Sequence, residues 1–500
     1  MDAPVLQDYR LPPIDLLNEA PVEIHEEPLS DLNSSAKVLE DTLRDFGIEC
    51  KVTHVERGPV VTRYEVLPAA GVRVERISGL SNNIALALKA VSVRVQAPIP
   101  GKKMVGIEVP NSTSTSVYLR ELLESGNWRN GDHALPLALG KDVGGRVLVA
   151  DLAAMPHMLI AGATGAGKTV CMNSLLAGLL MSRTPDQMRL MLVDPKIVEF
   201  GPYNGLPHLV VPVITDPKKV GLGLRWAKDE MEKRYKLFAK AGVRNIKDFN
   251  SRPREEQAEL FHDAGQAPPS GRELPETIPY IVIVVDELAD LMLAAQAEIE
   301  NLIAKLAQLS RAVGIHMIIA TQRPSVNVIT GTIKANFPAR LAFQVAQKVD
   351  SRTILDTVGA DKLLGKGDML FLPPGSSKLT RAQGSFTSDV EIRSIVQFVT
   401  NQGEPEFVAE IQEKLEGNAV DVPGVAHEDE LMNSAIEIIR QTRRASTSSL
   451  QRRLRIGYTR AARLMDILED KGVIGPPQGS DPREILIDLD NEIPQNNMLE

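Results

Sequence analysis

The sequence predicts an α/β protein in three parts: a small α+β domain, a large parallel-sheet domain around a phosphate-binding loop, and a C-terminal winged helix. Three observations predict it. From about residue 135 to 399, short apolar runs bounded by turns alternate with helical stretches, the pattern of a parallel sheet with crossover helices. One such run opens into Gly162-Ala163-Thr164-Gly165-Ala166-Gly167-Lys168-Thr169, which matches G-x-x-x-x-G-K-[ST] between a strand and a helix. Near the carboxyl terminus, three helical patterns precede the strand-like Glu484-Ile485-Leu486-Ile487.

Taken in order, residues 1–35 are rich in proline and acid and lack periodicity, so a linker or extended arm is expected there. Residues 36–134 form the small domain, with helices over 36–46 and 82–91 and strands over 60–66 and 93–95. The large domain spans 135–403, and the Gly, Pro and acid of 404–427 read as a linker. The winged helix occupies 428–492, with helices closing at Arg443-Arg444 and spanning 446–453 and 459–471, and 493–500 is a tail.

The 500 residues suffice for about three domains of roughly 150 residues. Hydrophobic residues at 43% and charged residues at 24% are ordinary for a globular chain. No run approaches the roughly 18 apolar residues of a membrane span, and Met1-Asp2-Ala3-Pro4 does not begin a signal peptide. Cys50 and Cys171 are too few and too far apart for a disulfide framework or zinc knuckle. A cytoplasmic chain making no membrane contact of its own is expected. The net charge of -9, from 56 Lys and Arg against 65 Asp and Glu, excludes a uniformly basic nucleic-acid coat and leaves local patches to be found.

The loop glycines let backbone amides converge on phosphates, Lys168 reaches the β and γ oxygens, and the Thr169 hydroxyl can ligate magnesium. The apolar run 280–285 ends in Asp286-Glu287, the acidic strand such a site requires. Asp286 is expected to hold magnesium through its water shell and Glu287 to polarise the attacking water. Standing alone, the pair would read as acids at a helix N-terminus. Two further runs end in Asp194-Pro195-Lys196 and in Gln322-Arg323-Pro324, and ligands of parallel sheets lie beyond such strand ends. Gln322 is the expected γ-phosphate sensor. For Asp194 and Lys196 an internal ion pair and a nucleotide contact stand equal, and His316 is expected to be a satisfied core histidine.

Several segments acquire a common meaning together: Tyr9-Arg10-Leu11-Pro12-Pro13, Gly58-Pro59-Val60-Val61-Thr62-Arg63-Tyr64-Glu65, and Val105-Gly106-Ile107-Glu108-Val109-Pro110-Asn111. With the phosphate loop, Asp194-Pro195-Lys196 and Glu199, the Asp286-Glu287 strand and residues 315–324, they resemble the FtsK/SpoIIIE family of DNA translocases. The resemblance implies a RecA-like motor domain (β) preceded by a small α domain and followed by a γ winged helix. It implies a homo-hexameric ring pumping double-stranded DNA with ATP and Mg2+, in chromosome segregation at cell division. Full-length relatives carry a membrane-spanning domain and a long linker ahead of the motor, anchored in the bacterial inner membrane at the septum, so a truncated or short-form relative is expected here.

Ring motors complete the site with an arginine from the next subunit. Arg311 is the first candidate and Lys348 the second, a solvated surface charge being the alternative for each. Loops after the Gln322 strand face the channel of RecA-like rings, which makes Arg323, Lys334 and Arg352 candidates for phosphate contacts, or else surface or salt-bridged charges.

From Arg440 to Arg463 there are eight arginines and no Asp or Glu. Helix-turn-helix spacing puts Thr459, Arg460 and Arg463 at base edges and Arg452, Arg453 and Arg455 on phosphates; a basic protein-docking face is the alternative. The resemblance adds that 456–463 matches a segment recognising short G-rich polar sequences that set direction, and that the γ domain contacts the XerD recombinase. A protein-secretion ATPase and a DNA-binding ATP switch are the competing functions. The basic winged helix weighs against the first and Glu287 against the second.

Overall fold

The computed structural model describes residues 9–21, 29–252, 274–416, 435–440, 442–454, 457, 461–462, 464–465, 468–469, 473–476 and 482–486. The chain divides into two units, Met1–Glu416 and Gly417–Glu500.

In the first unit, β1 (Cys50–Arg57), β2 (Val61–Pro68), β3 (Arg94–Gln96) and β4 (Val105–Pro110) form an antiparallel sheet in the order β1-β2-β4-β3. The helix Leu29–Asp45 lays Leu39 and Leu43 on it, joined by Ile77 and Ile84 against Tyr64, Val66, Val105 and Ile107. The sequence pattern overlooked β1 because a bulge between Val52 and His54 breaks its period of two.

Ten strands make the second sheet: β5 (Val117–Tyr118), β6 (Pro136–Asp142), β7 (Val147–Asp151), β8 (His157–Ala161), β9 (Met188–Val193), β10 (Tyr280–Val285), β11 (Ile315–Thr321), β12 (Ala339–Phe343), β13 (Asp368–Leu372) and β14 (Thr380–Phe386). Their order is β7-β6-β14-β13-β12-β8-β11-β10-β9, with β5 beside β14. The strands β9, β10, β11, β8 and β12 are parallel, and the sheet continues antiparallel through β13, β14, β6 and β7. The expected parallel sheet is therefore half of a mixed one, since loops 143–146 and 373–379 are too short for a crossover. One face is covered by Lys168–Leu180 and Asp389–Thr400, the other by Pro217–Ala241 and Leu288–Leu309. With the phosphate loop leaving central β8, this is a RecA-like P-loop fold.

Three stretches depart from the expected boundaries. Residues 117–134 belong with the large sheet, because β5 pairs with β14 and Leu119, Leu122 and Leu123 enter its core; the small sheet ends at Pro110 rather than near 134. The arm is partly fixed: Leu17 is buried in that core, and the Arg10 amide donates to Gln402 Oε1 at 2.7 Å. Within the expected linker, Ala409–Glu416 is helical and Ile411 is buried against the large sheet.

Buried charges tie the two sheets. Glu108 on β4 accepts from Arg94 on β3 and from Arg381 on β14 at 2.9 Å, and Arg381 also reaches Asp368 on β13 at 2.6 Å. Burial pushes the Glu108 carboxyl up, but the guanidiniums Arg94 and Arg381 prevail and hold it below its ordinary 4.5. A carboxylate depressed in the folded state stabilises above its unfolded pKa and loses that contribution as pH falls through the folded value. Glu108→Gln is expected to cost about 2 kcal/mol at pH 7, measured by urea unfolding, with the gap to wild type closing as pH falls below 4.5.

In the second unit, the helix Thr447–Leu454 and helical residues at 435–440, 461–462, 464–465 and 468–469 close around Ile439, Leu450, Leu464, Met465 and Leu468. Antiparallel bridges join Ala445 to Arg483 and Ile474 to Ile485, the strand element expected of a wing. Among the described residues, no helix is long and apolar enough to cross a membrane.

Candidate nucleotide-binding site

The phosphate loop is held from three sides. The Gly162 amide donates to Thr321 O at 3.3 Å, Ala163 to Gln344 O at 2.9 Å, and the Gly367 amide to Ala166 O at 2.9 Å. Gly167 adopts φ +114°, and a Cβ there would stand 2.5 Å from the Gly367 amide nitrogen. At Gly162, a Cβ would meet Phe343 Cβ at 2.6 Å. Both positions require glycine, and the loop delivers Lys168 and Thr169 at the start of the helix Lys168–Leu180.

Lys168 is buried, and its Nζ donates to the backbone oxygen and Oδ1 of Asp286, each at 2.6 Å. The second carboxylate oxygen of Asp286 is buried without a hydrogen-bond partner. Thr169 Oγ1 donates to Glu199 Oε1 at 2.9 Å. Asp194 is fully buried; its Oδ2 accepts the amides of Glu199 and Phe200, both at 2.9 Å, and its Oδ1 has no partner. Burial raises the Glu199 carboxyl, the Thr169 hydroxyl opposes this, and the nearby charges of Asp286 and Asp194 add to the rise.

Glu287 is enclosed. Its Oε1 accepts from Thr321 Oγ1 at 2.6 Å and from the Ala289 amide at 3.3 Å, while Oε2 accepts the Gln322 amide and Lys196 Nζ, both at 3.1 Å. Burial would raise this carboxyl, but Thr321, the Gln322 amide, Lys196 and Lys168 together hold it below the usual carboxylate range. Glu287 also caps the helix Leu288–Leu309, so the helix-terminal and chemical readings coincide. Thr164 Oγ1 donates to Gln322 Oε1 at 2.9 Å, which brings Gln322 onto the phosphate loop.

In this structure Lys196 pairs with Glu287 at 3.1 Å and lies 4.0 Å from Asp290, and Asp194 accepts from backbone amides. His316 is only half satisfied: Nδ1 meets Pro156 O at 2.9 Å and Nε2 has no partner. For a hard divalent cation the donor set fits, with the Thr169 hydroxyl and an Asp286 oxygen that no protein group occupies. The pattern reading missed Thr321 and the 365–367 turn behind the loop; the Gly365-Lys366-Gly367 spacing was the available signal.

The other candidates lie apart. Arg311 precedes β11, at the end of the parallel strands opposite the phosphate loop, about 20 Å from Gln322 by strand rise. It is exposed, with Nη2 3.3 Å from Ala154 O. Lys348 is exposed at the start of the helix Lys348–Leu355, beyond the carboxyl end of β12. Arg323 and Arg352 are exposed, whereas Lys334 is taken by Asp356 at 2.8 Å, beside Arg340. In this structure Lys334 is salt-bridged, with both partners partly exposed. Arg452 and Arg453 are exposed on the helix Thr447–Leu454, and Arg455, Thr459, Arg460 and Arg463 lie outside the described residues.

Models of three known segments match this chain: the FtsK alpha domain over residues 11–111, the FtsK/SpoIIIE family over 118–326 and the FtsK gamma domain over 426–488. The chain is 50% identical over 485 residues to the DNA translocase FtsK of Clostridium acetobutylicum, covering 97% of this chain and 61% of that protein. This chain belongs to the FtsK/SpoIIIE family. A second FtsK/SpoIIIE relative, the DNA translocase FtsK of Caldanaerobacter subterraneus, is 50% identical over 96% of this chain and 64% of its own length. The chain thus spans somewhat over half the length of these curated relatives. The solved pCW3 conjugation coupling protein TcpA, in monomer form with ATPγS, aligns over 73% of this chain and 99% of its own at 22% identity and a TM-score of 0.49.

Proposed function

We propose that this chain is the motor of an ATP-driven double-stranded DNA translocase acting at cell division. The observation that carries the reading is the junction of phosphate loop and acidic strand: Lys168 on Asp286, with Glu287 and Gln322 beside them. The relatives named DNA translocase supply the substrate class.

Lys168 exchanges its place on Asp286 for the β and γ oxygens of ATP. Thr169 and Asp286 would hold magnesium, which when bound would neutralise charge on the phosphate oxygens. Glu287 polarises the attacking water once Lys196 parts from it, and Gln322 reports the γ-phosphate through Thr164. Arg311, remote from its own phosphate loop, suits a group donated to the neighbouring subunit of a hexameric ring, with Lys348 the second such group. Arg323 and Arg352 grip DNA phosphates in the channel. The carboxyl-terminal module reads polar DNA sequences through Thr459, Arg460 and Arg463, holds phosphates with Arg452, Arg453 and Arg455, sets direction and coordinates the XerD recombinase.

ATP turnover by the purified chain is expected to rise at least tenfold with long duplex DNA, and the rise to fade with added salt as counterions compete for the phosphates. Turnover indifferent to duplex DNA would sink the translocase reading and favour a secretion motor or a switch.

A further inference from the structure

Three carboxylates approach the start of the helix Lys168–Leu180, and their oxygens are not equivalent. Asp286 gives Oδ1 to Lys168 and keeps a buried, unpartnered Oδ2. Asp194 gives Oδ2 to two backbone amides. Glu199 alone takes the Thr169 hydroxyl, at 2.9 Å. A hydroxyl has one proton to donate and two lone pairs to offer, so the acceptor of its proton decides where the lone pairs point.

We infer that Glu199 is a positioning residue for the divalent cation: it accepts the Thr169 proton and so directs the Thr169 oxygen lone pairs toward the metal. The inference rests on the nucleotide reading given above. Asp286 offers its buried, unpartnered second oxygen to the cation without competing for that proton. Asp194 fixes the backbone that carries Glu199, pinning the amides of Glu199 and of Phe200, itself buried in the core. An outer carboxylate of this kind strengthens a ligand it does not replace, and its loss costs about 10–100-fold in metal affinity.

The test uses Mn2+ and ADP with the full chain. ADP affinity is measured in EDTA, and Mn2+ affinity is then measured by electron paramagnetic resonance with ADP saturating. Glu199→Ala, which removes the acceptor of the Thr169 proton, is expected to bind ADP in EDTA as wild type does and to bind Mn2+ about 10–100-fold more weakly. Thr169→Ala is expected to weaken Mn2+ binding as well, with little further loss in the double variant, because the two residues act through one oxygen. Wild-type Mn2+ affinity in Glu199→Ala overturns the inference alone. So does an equal loss of ADP binding in EDTA, which would mark Glu199 as a structural support. A wild-type chain that binds neither ADP nor Mn2+ overturns the nucleotide reading and this inference with it.

Discussion

Lys168→Ala is expected to lower DNA-stimulated ATP turnover by about 10²–10³-fold or more, the scale of removing one donor from a developing phosphate charge. The structure adds a second effect that complicates the reading of such a variant. Lys168 and Asp286 are 2% and 1% exposed and meet at 2.6 Å, so truncating the lysine strands a buried carboxylate at a cost of about 3–5 kcal/mol. Loss of turnover could then report unfolding. Adding Asp286→Asn removes the stranded charge, and the double variant is expected to recover thermal stability while remaining inactive. Turnover that returned together with stability would show Lys168 to be a structural partner of Asp286 and would refute its part in phosphate binding.

The parts of this site that sequence makes legible are those encoded by consecutive residues. The run 280–285 is continuously apolar because β10 is buried on both faces between β9 and β11, and the acids follow directly where the strand emerges. The phosphate loop is equally local. Strand direction is not local: the apolar 368–372 reads the same whether its neighbour runs parallel or antiparallel, which is why half of the sheet was misjudged. The salt bridge of Lys334 could not be read locally because Asp356, its partner, lies 22 residues away across a strand and a helix. Residues 119–123 form a short helix whose leucines could serve either domain, and only the pairing of β5 with β14 assigns them. Glu199 sits in an irregular loop after β9, where no periodicity announces a side chain's direction.

Glu287→Gln separates binding from chemistry more cleanly. The substitution keeps the side chain's size and one acceptor oxygen, enough for the Thr321 hydroxyl at 2.6 Å, so nucleotide binding is expected to persist. The amide cannot take a proton from water, and turnover is expected to fall by about 10²–10⁴-fold, the range for a lost general base. As the structure stands, Glu287 is a poor base: it is fully buried, surrounded by donors and held below the usual carboxylate range. Of those donors, Thr321 and the Gln322 amide belong to β11 and its end, whereas Lys196 stands on a loop with its side chain 36% exposed. Of these donors Lys196 is the most exposed, and under the proposed reading its departure would raise the basicity of Glu287. Bound ATP should accumulate in Glu287→Gln, measured as the ATP to ADP ratio released on denaturing the complex. A variant that loses ATP binding, or hydrolyses at the wild-type rate, would remove Glu287 from the chemical step and leave it as the cap of the helix Leu288–Leu309.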